Sequence, residues 1–174
     1  MSEHSINRRQ ALLGTAAGLA VAGALGGLGA ANAQTPQAAV SGLSEEAIMN
    51  GLHAALSKAR EISVPSVIAI TDAHGTLLAY FRQESAFQLS TTFAQQKAYT
   101  AAIFGAPTAD LGKNIGANPV VLAAMMKLDN VTLLGGGLPI IAGGVPIGGI
   151  ASSGGSEEQD AEVAAAGLAA MGLS

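Results

Sequence analysis

The chain predicts an α+β domain: an antiparallel sheet with helices packed on it. Three observations lead there. Strand-like runs come in pairs joined by tight turns, not in alternation with helices. The stretch Gly135–Gly155 reads as two short apolar strands, Leu138–Ala142 and Val145–Ser152, joined by Gly143-Gly144, the pair that primed hairpin turns demand because φ is positive there. Helices with strong starts flank the strand-like region: Ser44 precedes one, and Ser156 with Gln159 three residues on forms a capping-box pattern for another.

The 174 residues do not all read as mature protein. Residues 1–33 have the pattern of an export signal. Arg8-Arg9 sits between Asn7 and Gln10, an uncharged Ala/Gly/Leu run follows from Ala11 to Ala31, and Ala31-Asn32-Ala33 fits a small-residue cleavage site. The paired arginines favour the twin-arginine route over the general one, and a weakly apolar run ending in a cleavage site favours a signal over a membrane anchor. The mature chain then starts at Gln34, with a linker over 34–43 and a domain over 44–174, in a periplasm or outside the cell. Twin-arginine export carries folded proteins, which raises the expectation of a bound cofactor.

Without the signal, six Lys/Arg and eleven Asp/Glu remain, a net charge of −5. That argues against a nucleic-acid partner, which needs clustered basic residues. The chain has no cysteine, so disulfides, thiolate metal sites, iron–sulfur clusters and a cysteine nucleophile are excluded. Charged residues make up 11% of the chain, against about a quarter in a typical soluble domain. Part of that deficit comes from the signal, and the rest suggests surface buried against further copies of the chain, a homo-oligomer.

In order, the first helix spans Glu45–Glu61. Glu45 and Glu46 lie in its first turn and Lys58 and Arg60 near its end, as the macrodipole prefers, and Ile48, Leu52, Ala55, Leu56 and Ala59 form the buried stripe. Val64–Asp72 is β-like. Asp72-Ala73-His74-Gly75 has the Asp-first, Gly-fourth signature of a type I turn, and Thr76–Arg82 returns as a strand. After a polar loop, Ser90 opens a helix to Phe104, which Gly105-Ala106-Pro107 ends. Thr108–Ile115 suggests a short helical turn. Asn118-Pro119 is a helix start leading into Val120–Lys127, and Asp129-Asn130 turns the chain into a strand at Val131–Leu134. The glycine hairpin and a helix over Glu157–Met171 complete the domain.

The glycines do not make a nucleotide site. Ser152–Ser156 lacks G-x-G-x-x-G spacing, and Glu157, Glu158 and Asp160 would repel a pyrophosphate; Gly112-Lys113-Asn114 is not a phosphate loop. No G-x-S-x-G and no H-x-x-x-H is present, so a hydrolase is poorly supplied. Two histidines remain after the signal. His53 lies beside the apolar stripe of the first helix, either at the border of the core or as a ligand at the edge of an apolar pocket. His74 lies in a turn, either solvated or meeting a neighbouring subunit. On the Ser90–Phe104 helix, Phe93, Gln96, Lys97, Thr100 and Phe104 share one face. Either Lys97 reaches out to solvent and Thr100 bonds back to its helix, or the face is the wall of a pocket for a planar ligand, with Lys97 for its carboxylate.

These blocks carry a resemblance. Ala94-Gln95-Gln96-Lys97-Ala98-Tyr99-Thr100-Ala101 resembles the A-x-x-K-A-x-T-A signature of the GlcG/HbpS-like family of haem-binding proteins, and is similar to the haem-binding C-terminal domain of PduO-type proteins. Asp72–Leu78, Gly136-Gly137-Leu138-Pro139, Gly148–Gly154 and Gln159-Asp160 fit its other blocks, over about Leu43–Met171. Arg82-Gln83-Glu84 and Ala151-Ser152-Ser153-Gly154 depart from its usual R-M-D and G-V-S-G. The resemblance implies a profilin-like sheet of about five strands, a homo-oligomer, and haem or a related tetrapyrrole as ligand, for scavenging, storage or sensing. On that footing His53 and then His74 are the candidate axial ligands, with Phe93, Lys97 and Thr100 as cofactor-binding residues and Lys97 meeting a propionate. An enzyme acting on a small organic acid through Lys97, or a non-catalytic oligomeric accessory protein, are the alternatives.

Overall fold

The computed structural model describes residues 42–173. The expected signal over 1–33 and nearly all of the linker lie outside the described residues. The elements run α1 (Glu45–Glu61), β1 (Val67–Asp72), β2 (Leu77–Arg82), α2 (Ser90–Phe104), α3 (Thr108–Gly116), α4 (Pro119–Met125), β3 (Gly137–Ala142), β4 (Val145–Ser153) and α5 (Glu157–Ala170). The four strands form one antiparallel sheet in the order β2-β1-β4-β3.

Local chemistry sets the element ends. The Ser44 hydroxyl accepts from the Ala47 N–H at 3.1 Å and caps α1. At α5 both halves of the capping box form: the Gln159 N–H donates to Ser156 Oγ at 3.3 Å, and the Ser156 N–H donates to Gln159 Oε1 at 3.0 Å. Gly143 and Gly144 carry φ of +55° and +79°, the two positive values that a type I′ turn between β3 and β4 needs. In the β1–β2 turn, the Gly75 N–H closes on the Asp72 carbonyl at 3.0 Å. Asp72 Oδ1 accepts the His74 and Thr76 N–H groups, both at 2.8 Å.

The sheet is covered on both faces, so β1 is buried at every position. Alternation along β1 splits the core in two. Ile68 and Ile70, with Ile140 and Ile150, pack under α1 and α5 against Leu52, Ala55, Leu56 and Val163. Val67 and Ala69, with Ala151, face α2 and meet Ala94 and Ala98. Each fully buried Ile contributes about 1.5–3 kcal/mol through burial, so the first face carries most of the hydrophobic stabilisation. The second face is built from small residues because α2 lies almost in backbone contact with β3 and β4. A Cβ on Gly149 would run into the Ala98 carbonyl, and one on Gly137 would lie 2.5 Å from the Lys97 carbonyl.

Two expectations are corrected. Val131–Leu134 is not a strand, so the sheet has four strands and not about five. The N–H of Thr132 goes to the Thr100 hydroxyl at 3.0 Å and that of Leu134 to Thr132 Oγ1 at 3.3 Å, and side chains thus replace a strand partner. The expected turn at Thr108–Ile115 is a full helix, α3.

Candidate functional site

The candidate residues fall in separate places. Lys97 reaches inward from α2 and is 3% exposed. Its ammonium donates to Asp160 Oδ2 at 2.6 Å and to the Ser152 carbonyl at 3.2 Å. Neither expectation for this residue holds: it does not reach solvent, and its charge is not free for a ligand's carboxylate, because Asp160 already balances it. Asp160, 2% exposed, also accepts the Gly155 N–H at 3.0 Å. Burial raises its pKa above the ordinary carboxylate value; the bond from Lys97 and the Gly155 and Gly154 amides pull it down, and burial wins.

Three glycines make room for this pair. A Cβ on Gly136 would lie 2.5 Å from Asp160 Cβ and 3.0 Å from Lys97 Nζ; one on Gly135 would lie 2.7 Å from Glu157 Oε2. Gly137 admits the α2 backbone, as above. The Gly135–Gly137 run is therefore the floor that makes room for the Lys97–Asp160 pair and for Glu157 at the start of α5.

Above the pair opens a cleft of about 250 Å³, walled by Phe87, Phe93 and Leu134 and bordered by Ser90, Glu157 and Gly155. Phe93 lines this cleft. Phe104, further along the same helix, is exposed and outside the cleft. Thr100 is fully buried, and its hydroxyl accepts from the Thr132 N–H instead of bonding back to α2. Its role is to hold the segment that leads into the glycine floor.

The two histidines lie elsewhere. His53 is exposed on α1, away from the buried stripe Leu52, Ala55, Leu56 and Ala59. That stripe covers the sheet face opposite α2, so the sheet separates α1 from the Lys97 cleft within one chain. His74 is exposed in the β1–β2 turn. Its neighbour Gly75 carries the Tyr99 ring against its Cα, where a Cβ would collide with the ring. Gly75, Leu77, Gln96, Tyr99 and Asn130 line a second cleft of about 200 Å³. Neither imidazole has a hydrogen-bond partner among the described residues. No group of three metal-ligating side chains occurs among the described residues.

Asp160 is the residue that sequence reading missed in this role. Its signal was present: Asp160, Val163, Ala164 and Gly167 recur at i, i+3, i+4 and i+7, which puts the carboxylate on the buried face of α5. A buried carboxylate needs a cation, and Lys97 is the cation on a small-residue helix face.

The comparisons follow this geometry. Over 121 residues the chain is 34% identical to the corrinoid adenosyltransferase PduO of Salmonella typhimurium, covering 69% of this chain and 36% of the relative, so it spans about a third of that protein's length. The crystal structure of a PduOC–heme complex superposes with a TM-score of 0.70 at 33% identity, covering 76% of this chain and 96% of the other. A double mutant of HbpS from Streptomyces reticuli superposes with a TM-score of 0.69 at 31% identity, covering 75% and 87%. The model of the haem-degrading HbpS-like proteins matches residues 43–169, from before α1 to the penultimate residue of α5, and the chain belongs to that family.

Proposed function

We propose that this is an exported haem-binding protein, acting in haem scavenging, storage or sensing as a homo-oligomer in a periplasm or outside the cell. The observation that carries the reading is the family match over 43–169, supported by the fold shared with a PduOC–heme complex. The donor set is compatible with haem. Neutral imidazole is a good ligand for haem iron, and both His53 and His74 are exposed with ring nitrogens uncommitted within the described chain. His74 is the better placed, because the Leu77 and Tyr99 side chains of the adjoining cleft offer apolar surface beside it, whereas His53 has Met49 one turn away. Haem bound there would supply a redox-active iron; His74 would hold it, and the bond from the His74 N–H to Asp72 Oδ1 keeps the His74 backbone in place.

The homo-oligomer draws support from the surface. α4 buries none of its residues, and Val120, 79% exposed, stands with Val121, Met126 and Leu128 as uncovered apolar surface. An enzyme that clamps a small organic acid with Lys97 gains no support, since Asp160 already neutralises that ammonium. The transferase activity of whole PduO is not carried over from a match to a third of its length.

The test is a hemin titration of the protein followed at the Soret band. Wild type is expected to saturate, His74→Ala to weaken binding tenfold or more, and His53→Ala to leave it within about twofold. Saturable binding that survives the double replacement sinks the ligand assignment; the absence of a saturable shift in wild type sinks haem binding itself. A first residue of Gln34 on protein recovered from outside the cytoplasm is the expected outcome for export.

A further inference from the structure

The cleft above Lys97 and Asp160 has a charge that haem, with its two propionates, does not suit. Lys97 and Asp160 cancel at 2.6 Å. The carboxylate left over is Glu157, at the rim, set against the Cα of Gly135. Among the described residues no other cation lines the cleft, and the formal charge of its side chains is −1. Two phenyl rings stand in the wall: Phe93, half-buried, and Phe87, 66% exposed. Leu134 adds exposed apolar surface beside them. Aromatic faces attract a cation through the ring quadrupole, by about 0.5–1 kcal/mol at exposed sites, and repel an anion on the same account. The cleft, of about 250 Å³ and open to solvent on one side, has room for a small organic molecule between the rings.

We propose that this cleft is a second ligand site, distinct from that of haem, for a small organic ammonium ion. The ammonium group lies at Glu157 and the apolar body between Phe87, Phe93 and Leu134. The buried ion pair beneath is a rigid, internally neutral floor. It also supplies selectivity: Asp160 prevents Lys97 from attracting carboxylates, and Glu157 repels them at the entrance.

Isothermal titration of the protein with 2-phenylethylammonium, 2-phenylethanol and 3-phenylpropionate compares a cation, a neutral molecule and an anion of similar shape. The ammonium is expected to bind at least tenfold tighter than the carboxylate, with the alcohol between them. Glu157→Gln is expected to remove most of that preference, and Phe87→Ala to weaken the ammonium and the alcohol alike. Both residues are exposed, so neither variant threatens the fold. Prior loading with hemin is expected to leave ammonium binding unchanged, and His74→Ala likewise. The proposal is overturned if the carboxylate binds as well as the ammonium, if none of the three binds, if Glu157→Gln leaves the preference intact, or if hemin displaces the ammonium.

Discussion

Lys97 Nζ and Asp160 Oδ2 stand 2.6 Å apart with both side chains under 5% exposed, and this contact joins the middle of α2 to the first turn of α5. The two helices cover opposite faces of the sheet, so the pair meets near the end of β4, where the Ser152 carbonyl accepts a further hydrogen bond from the ammonium. Removing one partner strands the other. Lys97→Met is expected to cost about 3–5 kcal/mol, the range for breaking a buried pair from one side. Replacing both, with Lys97→Met and Asp160→Leu together, is expected to restore most of that loss, since no charge is left without a partner. Urea unfolding of the single and double variants reads the difference, and a single variant within 1 kcal/mol of wild type would show that the pair does not hold α5.

Asp160 also sets a pH dependence whose sign follows from burial. Its native pKa lies above the ordinary value of about 3.8, so over the window between the two the native state binds more protons than the unfolded state. Stability from this group is therefore greatest below the window, falls as pH rises through it, and is level above it. The stability of wild type minus that of Asp160→Asn is expected to decline as pH rises from about 3.8 and then flatten. In Lys97→Met the decline is expected to extend to higher pH, because the bond that lowers the Asp160 pKa is gone. A difference that instead grew with pH would mean that the Lys97 bond outweighs burial.

Much of the fold was legible because its signals are local. Ser44, Ser156 with Gln159, Gly143-Gly144 and the Asp72–Gly75 turn each act within four residues, and each does in the structure what its spacing suggests. The apolar period of α1 set His53 at the border of the core, and the structure leaves it exposed instead. What was not legible is non-local. Val131–Leu134 has a strand's composition, but Thr100, 32 residues earlier, takes its Thr132 N–H. Lys97 read either as a solvent-reaching residue or as a pocket cation, because its partner lies 63 residues later in a helix start read only for the acidic residues that would repel a pyrophosphate. The position of a single residue fixes a helix face; it does not say which distant charge will meet it.

The close approach of α2 to β4 predicts an asymmetric response to alanine. At Gly149 a Cβ would meet the Ala98 carbonyl and, at 2.9 Å, the Ala102 nitrogen, both backbone atoms that cannot swing aside. Gly149→Ala is expected to cost about 1–3 kcal/mol or more through overpacking, although alanine is no worse than glycine in a strand. At Gly144, φ is +79° and the space beyond is open, so Gly144→Ala is expected to cost only the left-handed backbone penalty of about 1–2 kcal/mol. Crystal structures separate the two. Gly149→Ala should displace α2 from the sheet, while Gly144→Ala should change the turn alone. An unmoved α2 in Gly149→Ala would contradict the packing account.

Thr100 offers a test of how the cleft is held. Its buried hydroxyl accepts from the Thr132 N–H at 3.0 Å, and Thr108 Oγ1 accepts from the Gly137 N–H at 3.0 Å, so two threonines from the α2–α3 region hold both ends of the segment carrying the glycine floor. Thr100→Val keeps the shape but leaves a buried N–H without an acceptor, a loss of about 1–3 kcal/mol. Thr100→Ser keeps the acceptor and is expected to stay within about 1 kcal/mol of wild type. Hydrogen exchange locates the effect. In Thr100→Val, protection is expected to fall first at Thr132, then across 133–137, with α1 and its histidine unchanged. As Leu134 and the Glu157 support at Gly135 belong to that segment, the same variant should weaken 2-phenylethylammonium several-fold while Thr100→Ser does not. Equal protection in all three proteins would show that the segment is held by packing and not by the hydroxyl.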